Sequence, residues 1–335
     1  MEAFHTKYRP VEFEDVVDQP SIVRILKRQI ESRHVGKGYL FAGPSGCGKT
    51  TLAYIVAAKI DGELIEIDVA ANNSVDSTRD IVRAAEERSV TKQKKVFLLD
   101  ECQMYSTAAW QPLLKVLERD LEHTIFIFCT TDPQKVPQTI LTRVQRFNLN
   151  RASTHGICDR LRYICQCEGL QDFEGGIEYI SRISGGSPRQ AISTLEKCAG
   201  YSRQITLPNV LEAIGSYSYD VFFDLINACI DGREVDVVRV LHDSYEHGVE
   251  AKLFVDQFIS FCLDVNKFAL FGDCSLTQFP TTLTDQLSKC TNFNNATSYY
   301  QYVLDKLLNL KNMLKTDPAP QASVEIVLLQ VARCA

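Results

Sequence analysis

Residues 43–50 read G-P-S-G-C-G-K-T, and about fifty positions later the run V-F-L-L ends in two adjacent carboxylates, Asp100 and Glu101. Each part has a definite chemistry. A glycine-rich turn lets successive backbone N–H groups face a single anion, and a helix N-terminus behind it adds the positive end of its dipole. Gly43, Pro44, Ser45, Gly46, Cys47, Gly48, Lys49, Thr50 and Thr51 would form such a phosphate cradle. In it Lys49 reaches the β- and γ-phosphates and the Thr50 hydroxyl ligates Mg2+. Asp100, at a strand tip, would hold the same metal mostly through water, and Glu101 would polarise an attacking water as general base. An apolar run before Asp-Glu is common by itself; its spacing after a glycine loop makes it specific.

These groups need a scaffold. Tyr39, Leu40 and Phe41 read as a buried strand entering the loop, and 50–60 as an Ala- and Leu-rich helix leaving it. Further strands are expected over 64–69, through K-V-F-L-L-D, through T-I-F-I-F-C-T-T and over 146–149. Interleaved helices make this an α/β domain: a five-stranded parallel sheet covered on both faces. Thr130 and Thr131 fall at the carboxyl end of the fourth strand, where Thr131 senses a γ-phosphate, fixes the water or caps a loop. Upstream, Pro10 and Pro20 make 8–17 an ordered arm, and Ser21 is a candidate N-cap for a helix with Ile22, Ile25, Leu26 and Ile30 on one face. Val16 and Val17 suit either an adenine pocket or plain core packing. A helix over 107–118 contains Pro112, a candidate kink.

Between the second and third strands an amphipathic helix turns Ile81, Val82 and Ala85 inward. Arg79, Arg83 and Arg88 recur along it, with Lys92 after it; they read as a solvated charged face or as contacts to a DNA backbone. Beyond residue 151 the pattern is helical. Helices over 156–168, 175–183 and 188–200 form a small lid, 152–214, with Arg189 in the first turn of the last. A cation there opposes the helix dipole unless an anion meets it. From 215 to 335 the chain reads as an all-helical domain, with helices over 220–230, 234–247, 250–270, 282–289, 296–315 and 321–335. The fifth carries a stripe of Tyr300, Val303, Leu304, Leu307 and Leu308, suited to a core or to an oligomerisation layer.

Bulk properties narrow the class. At 335 residues, 45% hydrophobic and 23% charged, the chain suits a soluble protein of two or three domains. No apolar run approaches a membrane span, and the N-terminus does not read as a signal peptide. The twelve cysteines are scattered through apolar patterns and are expected to be reduced; Cys165 and Cys167 form a lone C-x-C without a second pair at zinc spacing. A net charge of −6 excludes a uniformly basic nucleic-acid binder but not a local basic face.

Taken in order, Y-R-P, F-E-D-V-V-D-Q, G-P-S-G-C-G-K-T, I-D-V-A-A-N-N-S-V-D, L-L-D-E-C-Q-M, T-T-D-P-Q-K-V-P-Q-T-I-L-T-R-V-Q-R-F and G-G-S-P-R-Q-A resemble sliding-clamp loader ATPases of the AAA+ class. The bacterial gamma/tau subunit is nearest, and the small subunits of replication factor C and their phage equivalents are more distant. The match is dense over the first two domains and weaker in the third, where D-P-A-P-Q-A-S-V-E-I-V-L-L is similar to a final collar helix. The resemblance implies a domain 1–151 for nucleotide, a lid 152–214 and a collar 215–335. It implies ATP and Mg2+ as cofactors, with Tyr8, Arg9, Val16, Val17 and Pro188 beside the nucleotide, Thr131 as first sensor and Arg189 as second. Arg143 matches the arginine of a Ser-Arg-Cys motif that reaches a neighbouring subunit's ATP, and the basic helix from Arg79 matches a DNA-tracking surface. The implied partners are the sliding clamp, primer–template DNA and other loader subunits in a ring, in the cytoplasm at the replisome, with no membrane. Rival readings are a AAA+ branch-migration motor or initiator, and a nucleotide-binding scaffold that does not hydrolyse. Three positions depart from the pattern. Thr142 and Val144 flank Arg143, Asp18 stands where glycine is usual, which would alter the adenine pocket, and the four-cysteine zinc module is missing, so no zinc is expected.

Overall fold

The computed structural model describes residues 2–119, 121–173, 175–215, 219–246, 250–279 and 283–334. Its elements, in order, are α1 (Phe4–Lys7), α2 (Pro20–Glu31), β1 (Gly38–Ala42), α3 (Lys49–Lys59), β2 (Gly62–Asp68), α4 (Val75–Glu86), β3 (Lys94–Asp100), α5 (Trp110–Glu118), β4 (Thr124–Thr130), α6 (Gln138–Leu141) and β5 (Gln145–Asn148). They continue with α7 (Thr154–Glu168), β6 (Gln171–Asp172), α8 (Gly176–Ile183), α9 (Pro188–Tyr201), β7 (Gln204–Ile205), α10 (Leu207–Ile214), α11 (Tyr219–Ile230), α12 (Glu234–Glu246), α13 (Ala251–Phe271), α14 (Thr284–Thr291), α15 (Ala296–Met313) and α16 (Pro320–Ala332). Residues 2–164 and 184–196 make one compact unit; 165–183 and 197–334 make a second. The expected helix ends at His247, Thr282 and Ala335 lie outside the described residues.

In the first unit, strands β1 to β5 form a parallel sheet in the order β2-β3-β4-β1-β5, with β1 hydrogen-bonded to β4 and β5. Alternation along each strand builds two cores, because successive side chains leave a strand on opposite faces. Tyr39, Phe41, Val96, Leu98, Ile125 and Ile127 face α2 and α3 with Leu52 and Val56. Leu40, Phe97, Leu99, Phe126 and Phe128 face α4 and α5 with Ile81 and Trp110. Central strands buried on both sides require continuous apolar runs, which is why they stand out in the sequence. The parallel register also brings the C-terminal ends of β1, β3 and β4 to one edge, and the candidate chemistry sits there.

Several local expectations are corrected. The N-cap of α2 is Gln19 and makes no side-chain cap bond; Pro20 starts the helix instead, its fixed φ and absent N–H both suiting the first position. Ile25 is exposed, and Val23 packs with Ile22, Leu26 and Ile30 in its place. Helix α5 begins at Trp110, so Pro112 falls in its first turn, where no i−4 carbonyl awaits a donor, and does not kink it. On α15, Tyr300, Val303 and Leu307 are buried and Leu304 partly so, but Leu308 is half exposed.

Among the described residues, the second unit is helical apart from a two-residue parallel ladder, β6 with β7, that alternation cannot reveal. Its core gathers α11 to α16 around Phe254, Phe258, Tyr300, Val303, Leu307 and Leu328. The Arg182 guanidinium donates to the Phe279 carbonyl, and Arg333 pairs with Glu234 at 2.8 Å.

Candidate nucleotide site

The loop between β1 and α3 owes its course to its residue types. Gly48, at φ 105°, is the N-cap of α3, so the helix starts at Lys49 with its first N–H groups open toward the loop. Gly46 holds φ 75°, a left-handed conformation that glycine adopts freely. It must also lack a side chain, because a Cβ there would run into Ser187 Oγ and stand 3.3 Å from Arg189 Cβ.

Around this loop is a cavity. Ser45, Gly46, Cys47, Gly48, Lys49, Thr50 and Thr51 line it, with Tyr8, Arg9, Val16, Val17, Asp100, Glu101, Pro188 and Arg189 from elsewhere in the same unit. Gly43 and Pro44 form the base of the loop rather than its lining: their carbonyls accept hydrogen bonds from Lys49 Nζ at 2.9 and 3.0 Å. Val16 both lines the cavity and packs against the core, so its two readings are compatible. Four lining residues escaped sequence reasoning: His5, Pro10, Arg160 and Ile192. His5 Nδ1 is buried without a hydrogen-bonding partner, whereas Arg160 donates to the Tyr8 carbonyl at 2.7 Å. Both sit on short or amphipathic helices whose facing only the tertiary fold decides.

Asp18 does not line the cavity. Its carboxylate accepts the Ser153 N–H at 2.6 Å, just before α7, where a negative charge suits the helix dipole. A Cβ on Gly156 would lie 2.6 Å from that carboxylate, so glycine in the first turn of α7 makes room for Asp18. Asp18 thereby ties the N-terminal arm to α7.

At the sheet edge, Thr50 Oγ1 donates to Asp100 Oδ2 at 2.9 Å, and Asp100 Oδ1 accepts the Glu101 N–H at 2.9 Å. A hydroxyl and a carboxylate, both hard oxygen donors, are a fitting start for a Mg2+ shell that keeps several waters. Glu101 takes φ 51°, unusual for a residue with a side chain, directly after β3. Its Oε2 accepts from Gln103 Nε2 at 2.5 Å and from Thr131 Oγ1 at 3.4 Å. Burial pushes the thiols of Cys47 and Cys129 upward, so both stay protonated beside the loop at neutral pH. Among the described residues, no cluster of three or more His, Cys, Asp or Glu groups could hold a metal; on α7, Cys165 is buried and Cys167 exposed.

The remaining candidates lie away from the cavity lining. Arg143, just after α6, donates to the Thr139 carbonyl and to Glu118, both at 2.6 Å. Arg79 and Arg83, one turn apart on α4, pair with Asp76 and Asp80 at 2.8 and 3.3 Å, and Lys92 pairs with Asp61 at 2.7 Å. Arg88 falls beyond the helix end and is exposed. No helix among the described residues is long and apolar enough to cross a membrane.

Comparison with known proteins agrees with this geometry. Solved structures of Thermotoga maritima RuvB, a Holliday junction branch migration motor, superpose with a TM-score of 0.55 at 18% identity, covering 67% of this chain and 80% of theirs, a likeness of fold alone. DNA polymerase III subunit tau of Bacillus subtilis is 33% identical over 286 residues, covering 78% of this chain and 51% of that protein. DNA polymerase III subunit gamma/tau of Mycoplasma genitalium is 30% identical over 294 residues, covering 80% and 49%. The chain thus spans about half the length of these curated relatives. Residues 39–152 match the family of ATPases associated with various cellular activities (AAA), and residues 205–335 match DNA polymerase III subunits gamma and tau domain III. The chain therefore carries an AAA-family ATPase domain followed by a DNA polymerase III gamma and tau domain III.

Proposed function

We propose that this chain is an ATP-hydrolysing subunit of a DNA polymerase sliding-clamp loader. The reading is carried by one combination: a phosphate loop whose Thr50 is hydrogen-bonded to Asp100, in a chain that continues into a gamma and tau domain III. A branch-migration motor shares the first feature but not the second.

In this reading the N–H groups of the loop and Lys49 bind the triphosphate, and Thr50 and Asp100 hold Mg2+, which neutralises charge on the phosphates. Glu101 orients water for in-line attack on the γ-phosphorus and takes its proton, while the bond from that phosphorus to the β–γ bridging oxygen breaks and ADP leaves. Thr131 and Arg189 read the γ-phosphate, and Tyr8, Arg9, Val16, Val17 and Pro188 enclose the base and sugar. Arg143, held outside its own cavity lining, serves the neighbouring subunit's site in trans. Residues 152–214 act as a lid and 215–335 as the ring-forming collar. Binding of ATP shapes the ring to hold an open clamp, and primer–template DNA, contacted through Arg79, Arg83, Arg88 and Lys92, triggers hydrolysis and clamp closure.

The test is steady-state ATPase with and without primed DNA and the cognate clamp: a loader needs both for full stimulation. Glu101→Gln should still bind ATP while turnover falls about 10²-fold or more, the usual worth of a general base. Arg143→Ala should lose at least about 10³-fold in the assembled ring with nucleotide affinity preserved. Equal loss in an isolated subunit would refute the trans role.

A further inference from the structure

Beside the candidate general base is a polar side chain outside the cavity lining. Gln103 lies in the short 3-10 turn after Glu101 and is half-buried. Its amide bridges three groups. Thr130 Oγ1, fully buried, donates to Gln103 Oε1 at 2.7 Å, and Gln103 Nε2 donates to Glu101 Oε2 at 2.5 Å and to Thr131 Oγ1 at 3.1 Å.

The orientation of that amide follows from hydrogen-bond arithmetic. The Thr130 oxygen already accepts the Asp132 N–H at 3.0 Å, so its single proton is free for Gln103 Oε1. Turning the amide over would set its oxygen 2.5 Å from a carboxylate oxygen, with no hydrogen between them. Both N–H groups of the amide are thereby committed, one to Glu101 and one to a lone pair of Thr131. That donation turns the Thr131 proton away from the amide, and the hydroxyl donates to Glu101 Oε2. Its contact to Glu101, at 3.4 Å, is the longest in the cluster, and hence the one a stronger acceptor would take over.

Resting on the ATPase reading, we propose that Gln103 is a positioning residue for hydrolysis: it fixes the Glu101 carboxylate and, by donating to the Thr131 oxygen, turns that hydroxyl's proton away from itself, so that base and phosphate sensor are set by one amide. Thr130 at the end of β4 anchors this amide, which ties the tips of β3 and β4 together through side chains as well as through the sheet. The role is distinct from binding. Gln103 does not line the nucleotide cavity, so its loss should act on turnover and spare affinity.

The experiment uses the full chain in its assembled ring, with Gln103→Leu, Gln103→Glu, Thr131→Ala and the double variant Gln103→Leu/Thr131→Ala. Loss of a hydrogen bond to a charged group predicts that kcat falls about tenfold or more in Gln103→Leu, with the Kd for ATP within about twofold of the parent. Gln103→Glu sets carboxylate against carboxylate and should fall at least as far. The double variant should be no slower than the worse single one, because both act through the same arrangement. A readout without nucleotide accompanies this: the Gln103 side-chain amide resonances, assigned by their loss in Gln103→Leu, should move in Thr131→Ala. Unchanged kcat in Gln103→Leu, an affinity loss that matches the kcat loss, multiplying single effects, or amide resonances blind to Thr131 would each overturn the proposal. A parent chain without ATPase activity is a different failure: it overturns the hydrolytic reading, and the role assigned to Gln103 with it, whatever the resonances show.

Discussion

Gly46 offers the most direct test of how the phosphate loop is held. It is not one of the fixed positions of the G-x-x-x-x-G-K-[ST] pattern, yet its φ of 75° and its closeness to Ser187 both demand glycine. An alanine there carries two separable costs. The left-handed backbone is worth about 1–2 kcal/mol against any residue with a Cβ. The new methyl also meets Ser187 Oγ, which must rotate away and give up its bond to the Gln190 N–H at 3.3 Å, the N-cap of α9. A lost cap costs about 1 kcal/mol, so the two sum to about 2–3 kcal/mol. If the loop escapes this strain by leaving the conformation that binds phosphate, affinity should fall about 30- to 150-fold. Ser187→Gly removes the obstacle and itself costs only a few tenths of a kcal/mol. In Gly46→Ala/Ser187→Gly, therefore, only the backbone part should remain, about 5- to 30-fold. Titration with a fluorescent ATP analogue, alongside chemical denaturation, measures both. Binding by Gly46→Ala within twofold of the parent, or no recovery at all in the double variant, would refute the reasoning.

Two further outcomes follow from the cores and the thiols. Trp110 is 1% exposed and packed against Tyr105 and Phe128, with ring centroids 5.3 and 5.7 Å away; Trp110→Ala should cost about 3–5 kcal/mol, read as a lower denaturation midpoint of the nucleotide-binding unit. Of the twelve free cysteines, only Cys167 and Cys334 among the described residues are exposed, so a thiol reagent should modify two sites quickly in the native chain. Cys47 should stay unmodified despite its place in the loop, because burial holds it in the protonated form, and fast loss of ATP binding on alkylation at neutral pH would contradict that.

How much of this was legible in the sequence depended on the range over which each feature is encoded. The phosphate loop, the acidic pair and the central strands are written in consecutive residues. A loop must follow its strand directly, and a strand buried on both faces must be continuously apolar. Val96, Phe97, Leu98 and Leu99 can be read for this reason without knowing their neighbours. Gln103 could not be read so. Its meaning comes from Thr130 and Thr131, which are 27 and 28 residues away and meet it only because β3 pairs with β4. His5 and Arg160 likewise reach the cavity from elements far apart in the chain. Errors at the helix starts have another origin. Ser21 and Pro20 both favour a helix N-terminus, and the proline won because its restricted φ already fits the first helical position. A one-residue shift of that kind leaves the core side chains in place and changes only which end group is satisfied.

Under the proposed trans role, the placement of Arg143 within one subunit can itself be tested. A guanidinium meant for its own nucleotide would line its own cavity, as Arg189 does. Arg143 instead is held at the surface by the Thr139 carbonyl and Glu118. Both bonds are charge-assisted and partly exposed, which makes them strong enough to pre-orient the side chain yet replaceable by a phosphate. Removing the restraint while keeping the cation separates orientation from charge: Glu118→Gln should leave ATP affinity unchanged and lower turnover of the assembled ring by a smaller factor than Arg143→Ala. If Glu118 only occupies the guanidinium and withholds it from a neighbour, the same substitution should raise turnover instead. The sign of that change decides whether the pair prepares Arg143 for the proposed trans role or restrains it.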